Sequence, residues 1–459
     1  MKYMIFAMAL VVGVPVMAAA AIYSERIKGW LLTLMIFATT LADRGNINFM
    51  SMETYRGPDR GFEITAIELI AMALGISLLV KKTRQIKWIP YNTFFMLLYF
   101  LVALYSIRSA PEPLLSWFTV FKLIRSWLLY WTVVNCIRTG VPMRAVWRGL
   151  IAVAALMVFE GLQQKYLGGL YRVSATFDHS NTLAMYLNML SALMLAFGLA
   201  DRSLNSWRTA VTLVAALGLL LTTVMTFSRA GMALGFVCAL GVLVFTNVRT
   251  RSKRVFVATM FAFAGLVFGG AMVGPSIVDR FMEAPAASEG AREEFNKAAR
   301  LMLEDNPMGV GVNQFSHVLD IHHKYRKHFK IMAGEKHAGV CHHVYWLTAA
   351  ELGWPGIIAF ALVLIRFAWR AFIYSWRTPG RDGALQAALF LSMVATYASG
   401  FFEWVFRITP LFFTFLILAG ISVGLSEVEK QRRRTLRARS AADSVTAMPE
   451  PEAAHELDS

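Results

Sequence analysis

The chain has 459 residues, 57% of them hydrophobic and 16% charged, with 45 Lys+Arg against 29 Asp+Glu. Water-soluble domains carry about 25% charged residues, so this composition argues against a cytosolic protein and for one that uses lipid as solvent. Three widely spaced cysteines, Cys136, Cys238 and Cys341, imply neither a disulfide framework nor a zinc cluster.

A helix needs about 20 mostly apolar residues to cross the hydrocarbon core, and only helices or closed barrels satisfy their own backbone there. Runs of that kind predict spans near 4–22, 64–80, 92–107, 118–137, 146–162, 181–200, 209–226, 230–247, 255–273, 355–374, 385–402 and 408–424, with a shorter one at 30–42, giving 12 or 13 helices. The first run resembles a signal peptide, with Lys2 in front and small residues behind, but so many spans follow that an uncleaved first helix is expected. The fold class is therefore all-α, a polytopic membrane protein with about 12 transmembrane helices.

Basic residues in short loops are held on the cytoplasmic side. The clusters Lys81-Lys82-Thr83-Arg84 with Lys87, Arg138/Arg144/Arg148, Arg202/Arg208, Arg249/Arg251/Lys253/Arg254, Arg377/Arg381 and Arg432-Arg433-Arg434 all fall on one side of this arrangement. The alternate connections, 43–63, 108–117, 163–180, the turn at Ser228-Arg229, the long segment 274–354 and 403–407, then face outward. The part 274–341 holds nine basic and nine acidic residues, as a loop opposite the basic ones should. Basic charge in cytoplasmic loops leaves nucleic acid without support as a partner.

The predicted organisation is transmembrane helices over 1–273, an outer loop with short amphipathic helices over 274–354, transmembrane helices over 355–424, and a disordered cytoplasmic tail over 425–459. Within the loop, Phe295, Ala299, Met302 and Leu303 fall on one face of a helix over Ala291–Leu303, suited to lying on the membrane or capping a cavity. Asn306-Pro307-Met308-Gly309-Val310-Gly311 ends it. The tail has too few apolar residues for a core.

Polar residues at the edges of apolar runs are costly unless they pair or line a wet cavity. Four such places stand out: Arg172 ahead of Thr176 to Asn181, Ser228-Arg229-Ala230-Gly231 at a sharp turn, Arg292 in the loop helix, and His342-His343-Val344-Tyr345 running to Glu351-Leu352-Gly353. All map to the outer face. Guanidinium forks match phosphate oxygens, and an imidazole titrating near neutrality suits proton abstraction from a hydroxyl. Together they point to transfer from a phosphate-linked donor to an alcohol.

Plainer readings exist for each. A lone Arg at a helix end often anchors at the interface, and Thr176, Asp178, Ser180 and Asn181 are N-cap residues. Gly309 and Gly311 suit turns, and no Walker lysine follows them. Seven of nine histidines (His317, His322, His323, His328, His337, His342, His343) lie within 27 residues, yet their spacing matches no metal motif, so no metal is expected. Asp178-His179 with Ser228 lacks the context of a hydrolase nucleophile. A transporter would place ionisable groups mid-span, where Lys122 and Arg125 are the main examples here.

The series Arg172-x-x-x-Thr176-Phe177-x-x-x-Asn181-x-Leu183-Ala184, Ser228-Arg229-Ala230-Gly231, Arg292 ahead of Asn306-Pro307-x-Gly309-x-Gly311-x-x-x-Phe315, and His342-x-x-Tyr345 ahead of Glu351-x-Gly353-x-x-Gly356 resembles the O-antigen ligase and polymerase-like superfamily over roughly residues 150–370. The resemblance implies a GT-C type glycosyltransferase of the bacterial inner membrane with a large periplasmic loop and a periplasmic active site. It implies transfer of an O-antigen glycan from undecaprenyl diphosphate to a lipid A-core or other hydroxyl acceptor, with membrane lipids as surroundings and no cofactor. Carried over, Arg172, Arg229 and Arg292 hold the diphosphate and His342 activates the acceptor, with His343, Asn181 and Tyr345 as secondary candidates. The chain departs from the family where His342-His343-Val344-Tyr345 replaces His-Asn-x-Tyr and Asp178-His179-Ser180-Asn181 replaces Gly-Asn-Pro-Asn. The offset to Glu351 favours His342. Polymerisation of repeat units and protein O-glycosylation remain open beside ligation, and transport stands as the reading from another class.

Overall fold

The computed structural model describes residues 2–41, 46–250, 286–326 and 339–446, with positions 255–257, 259, 260, 263, 264 and 267. The span expected at 255–273, His328, His337 and residues 447–459 of the tail lie largely or wholly outside the described residues.

The chain is predominantly helical. In order come α1 (Lys2–Met8), α2 (Val14–Tyr23), α3 (Glu25–Ala38), α4 (Ala66–Lys81), α5 (Thr93–Ser106), α6 (Pro113–Arg138), α7 (Met143–Leu162), α8 (Ser180–Ala200), α9 (Ser206–Met225), α10 (Arg229–Thr250), α11 (Ala286–Asp305), α12 (Phe315–Ile321), α13 (His323–Arg326), α14 (Val344–Arg377), α15 (Gly380–Ser399) and α16 (Thr409–Thr446). Among the described residues eight helices are long and apolar enough to cross a bilayer: Tyr3–Tyr23, Pro113–Arg138, Met143–Leu167, Ser180–Ala200, Ser206–Met225, Arg229–Arg249, Val344–Arg377 and Thr409–Ser440. That is a multi-pass membrane protein. Helices also stand where the other described spans were expected, but α3, α4 and α5 have 14, 16 and 14 residues. At 1.5 Å per residue these reach about 21–24 Å, short of the roughly 30 Å of hydrocarbon. In α15 Arg381, Asp382, Gln386 and small residues dilute the apolar run.

The core is built around α8, every residue of which from Thr182 to Ala200 is buried. It packs on α9, α10 and α15. Inside lipid, helices gain little from apolar burial alone, so close backbone approach through small residues does the work. Gly231 and Gly235, one turn apart on α10, supply it: a Cβ on either would lie 2.6 Å from Ala184 Cβ or Asn188 Oδ1 respectively. Asn188 Nδ2 then donates to the Gly231 carbonyl at 2.8 Å. This contact holds the start of α10, with Ser228 and Arg229, beside the start of α8, with Asn181. On the other side α6 and α16 run parallel, with Gly420 and Gly424 seated against Val133 and Ile137.

The long segment between α10 and α14 is structured around α11. Phe295, Ala299, Met302 and Leu303 are all buried, and the first three join Phe315, Cys341 and Leu347 in one cluster. The predicted amphipathic face thus packs on protein. Helix α14 begins at Val344, eleven residues before the span predicted at 355, and is broken at Gly353, whose backbone is left-handed (φ 65°). A side chain there would lie 2.2 Å from the Pro307 carbonyl. The Asn306–Gly311 turn docks on the break, with Val310 N, Gly311 N and Trp354 N donating to the carbonyls of Ala350, Glu351 and Pro307 at 3.0, 2.9 and 3.0 Å. Gly309 and Gly311 have φ of 86° and 109°, as turn glycines do.

Two findings depart from the sequence reading. The connection 43–63 contains an antiparallel hairpin, Asn46–Ser51 against Gly61–Thr65, pairing Asn46 with Thr65 and Asn48 with Glu63. Residues 425–446, predicted disordered, continue α16 as helix. Helix-favouring Arg, Glu and Ala fill that stretch, and Arg433 Nε donates to Glu429 one turn back at 2.7 Å, so local terms sustain a helix without a core.

Candidate active site

Six elements deliver polar side chains to one cavity of about 880 Å³: the stretch before α8 (Arg172), α8 (Asn181), α10 and the turn before it (Ser228, Arg229), α11 (Arg292), the residues before α14 (His342, His343), and the loop after α15 (Glu403). Phe227, Leu234, Phe401 and Phe402 add apolar wall. A volume of this order holds a ligand of several hundred daltons.

Glu403 organises the site. Its Oε1 accepts from Asn181 Nδ2 at 2.8 Å and from Arg292 Nη2 at 2.9 Å, while Oε2 meets His342 Nδ1 at 2.9 Å. Arg172 extends the chain: Nη2 donates to Asn181 Oδ1 at 2.8 Å and Nε to the Thr226 carbonyl at 2.9 Å. Burial alone would raise the pKa of Glu403. The hydrogen bond and charge of His342, with Arg292 and Asn181, outweigh it and hold the carboxyl below its usual value. Glu403 is therefore an anion at neutral pH, and the natural donor to its Oε2 is Nδ1–H of His342. That tautomer leaves the Nε2 lone pair as the basic nitrogen. The His342 side chain is 39% exposed, so the ring reaches the cavity while its far nitrogen is fixed.

His343 behaves differently. It caps α14, its Nδ1 accepting from Trp346 N–H at 3.2 Å, and its ring stands edge-on to Phe401. Burial lowers its pKa below the ordinary imidazole value. Tyr345 turns away: its OH donates to the Tyr397 carbonyl at 2.7 Å, and its ring packs on Phe401 and Phe360. It is not among the cavity-lining residues. The Thr176–Asn181 cluster does not act as a side-chain cap; His179 occupies the N-cap position without a cap hydrogen bond, Thr176 Oγ1 donates to the Thr40 carbonyl, and Asn181 is spent on Arg172 and Glu403. Ser228 Oγ accepts from Gly231 N–H at 3.4 Å and opens α10. Asp178 and His179 do not line the cavity with it. Among the described residues no group of three His, Cys, Asp or Glu side chains converges as a metal shell.

The cavity thus brings together Arg172, Asn181, Arg229, Arg292, His342 and His343, spread over more than 170 residues of sequence, and leaves Tyr345 outside. Glu403 was not singled out from the sequence. The available signal was a carboxylate inside Ser-Gly-Phe-Phe-Glu-Trp-Val-Phe, an expensive residue in an apolar run that must have a partner. Glu351, used to choose between the histidines, does not reach them. It lies behind the site with both oxygens engaged, Oε2 by Arg407 Nη2 at 2.6 Å and Oε1 by Phe315 N–H at 3.4 Å.

No curated protein matches the chain. Arg172, Asn181 and Glu403 fall outside the stretch that matches a known family. Residues 213–361 fit the family described as O-antigen ligase, a stretch running from the middle of α9 through Arg229, Arg292 and His342 into α14, and that match supports a place for the chain in the O-antigen ligase superfamily.

Proposed function

We propose that the protein is a glycosyltransferase of the bacterial inner membrane that moves an O-antigen glycan from undecaprenyl diphosphate to a hydroxyl of the lipid A core on the periplasmic face. The observation that carries this reading is the His342–Glu403 pair set in a cavity with three guanidiniums. Arg172, Arg229 and Arg292 offer planar donors to a diphosphate, and their fixed charge stabilises the negative charge that develops on it as it leaves. The acceptor oxygen attacks the anomeric carbon from the face opposite the diphosphate. The bond to the diphosphate oxygen breaks with its electron pair going to that oxygen, and the acceptor proton passes to His342 Nε2, so configuration inverts. Diphosphate leaves readily as an anion, so no acid is needed on that side. Glu403 keeps the imidazole in the tautomer that accepts at Nε2 and stabilises the imidazolium formed, while Asn181 ties it to Arg172.

The apolar rim supports a lipid donor. Phe401 and Phe402 are 56% and 51% exposed beside the cavity, which suits a site entered from between helices by an isoprenoid tail. Polymerisation of repeat units and protein O-glycosylation use the same donor chemistry and differ only in the acceptor hydroxyl. Transport draws no support from the mid-span charges. Lys122 Nζ is paired with Asp59 at 2.8 Å, and Arg125 with Glu68, as buried structural pairs.

The test is transfer by purified protein from lipid-linked oligosaccharide to lipid A-core, a glycan chain or a peptide, with His342→Ala, Arg172→Ala and Arg229→Ala, and with chelator. Each substitution is expected to abolish transfer and chelator to leave it intact. Activity retained in all three variants, or strict dependence on a divalent ion, would refute the reading.

A further inference from the structure

At the opposite end of α16 lies a second charged cavity, of about 310 Å³, lined by Lys87, Arg138, Glu427, Lys430, Gln431 and Arg434. From Thr409, just past Glu403, to Lys430 is 21 residues of helix, about 30 Å at 1.5 Å per residue and so about one hydrocarbon thickness away. Its charge is not cancelled. The single carboxylate, Glu427, already accepts from Arg370 Nη2 at 2.5 Å, and neighbouring Glu429 is taken by Arg433. No carboxylate among the described residues pairs with Lys87, Arg138, Lys430 or Arg434, so four cations face one another around the cavity.

The cavity is also built, not a chance meeting of flexible side chains. The Lys87 backbone is clamped by Asn135, whose Oδ1 accepts from Lys87 N at 2.8 Å and whose Nδ2 donates to Lys87 O at 3.2 Å. Arg138, in the last turn of α6, has a buried Nη1 with no hydrogen-bond partner. A buried guanidinium nitrogen without an acceptor is costly, and an anion in the cavity would supply one. Next to Lys87, Trp88 and Ile89 are 57% and 70% exposed. An exposed Trp beside a basic cluster at the end of a span marks the depth of lipid headgroups, and the apolar surface beside it can take an acyl chain.

The geometry points to a binding site for the phosphodiester headgroup of an anionic membrane lipid, held by Arg138, Lys430 and Arg434 with Lys87 at the mouth, on the end of the molecule opposite the candidate active site. Each cation near the bilayer surface contributes roughly 1 kcal/mol towards anionic lipid, a factor of about five in retention. The Trp88–Ile89 surface selects a lipid over a soluble phosphate.

The experiment is native mass spectrometry of the full-length protein in detergent, with phosphatidylglycerol or phosphatidylcholine added at equal concentration. Wild type should retain phosphatidylglycerol preferentially. Arg138→Gln should lower that retention about fivefold and Lys430→Gln/Arg434→Gln about twentyfold. Arg432→Gln, whose partner is Glu429 at 3.9 Å and whose side chain is 64% exposed, should leave it unchanged. The double variant changes only exposed positions of α16, so it keeps the test valid should Arg138→Gln fail to fold. Equal retention of the two lipids by wild type, or undiminished phosphatidylglycerol retention by the double variant, would overturn the site. Displacement of the lipid by equimolar glycerol 3-phosphate would overturn the lipid as its occupant.

Discussion

Two carboxylate clusters lie close together, one in the cavity and one behind it, and are put to opposite use. Behind the cavity, Glu351 pairs with Arg407, Lys122 joins Asp59 to the Arg407 carbonyl, and Asn313 donates to the carbonyls of Asp59 and Leu115. Glu351, Arg407, Asp59 and Lys122 are all buried. In the cavity, Glu403 is likewise surrounded by cations and amides, but its partners His342 and Arg292 have side chains 39% and 34% exposed. A closed network turns its donors onto the protein and fixes the backbone. An open one leaves Nε2 of His342 and the remaining guanidinium nitrogens directed at whatever fills the cavity. The four-residue distance from Glu403 to Arg407 joins them, so the closed cluster holds still the loop on which the open one depends.

The imidazole carries the largest expected effect. His342→Ala should lower transfer about 10²- to 10⁴-fold, the usual worth of a general base, in a protein that still folds. A loss of folding in place of activity would put His342 in the structural cluster. Glu351→Ala should do the reverse, destabilising the protein by about 3–5 kcal/mol because it strands the buried Arg407. Unfolding in detergent reads this directly. A stable but inactive Glu351 variant would erase the distinction.

Glu403→Gln sharpens it. The amide keeps shape but loses charge, and kcat should fall about 100-fold with donor KM little changed, as the imidazolium forms only during reaction. Glu403 also links folding to acid. Its carboxyl is held below the ordinary value, so its stabilising contribution is complete above the ordinary carboxylate range and is lost as pH falls through the depressed value. Glu403→Gln should remove that part of the acid transition. Arg292→Lys, which keeps charge but not the fork, should raise donor KM about tenfold with kcat nearly intact.

The smallest effect belongs to His343. With its pKa lowered by burial, the unfolded chain binds the proton more readily between the depressed value and about 6.5. Stability should therefore fall modestly as pH drops below about 6.5, and His343→Gln should flatten that slope without affecting transfer.

Much of this was legible in the amino-acid order. Apolar runs marked the helices because the bilayer forces one solution on the backbone. The arginines and His342 were readable because a guanidinium or imidazole at a span edge needs a reason. Glu403 was passed over because a carboxylate without a motif acquires meaning only when folding brings Asn181, Arg292 and His342 to it from three distant segments. The hairpin at Asn46–Thr65 was hidden in a loop between spans, since two short strands leave no strong pattern. The helix past residue 425 was missed because a charged, core-poor stretch was equated with disorder, when ion pairs one turn apart are enough to extend a helix already anchored by packing.

The break at Gly353 has a mechanical consequence. Two and a half turns that follow His342 are clamped at one end by the Gly400 carbonyl on Val344 N–H, at 2.9 Å, and at the other by the Asn306–Gly311 turn. The rest of α14, from Pro355 onward, packs on α5, α15 and α16 through Ala359, Phe360, Leu364 and Phe367. The aim of the imidazole is therefore set by a short segment anchored at both ends, and the long helix beyond the left-handed residue takes its direction from its own neighbours.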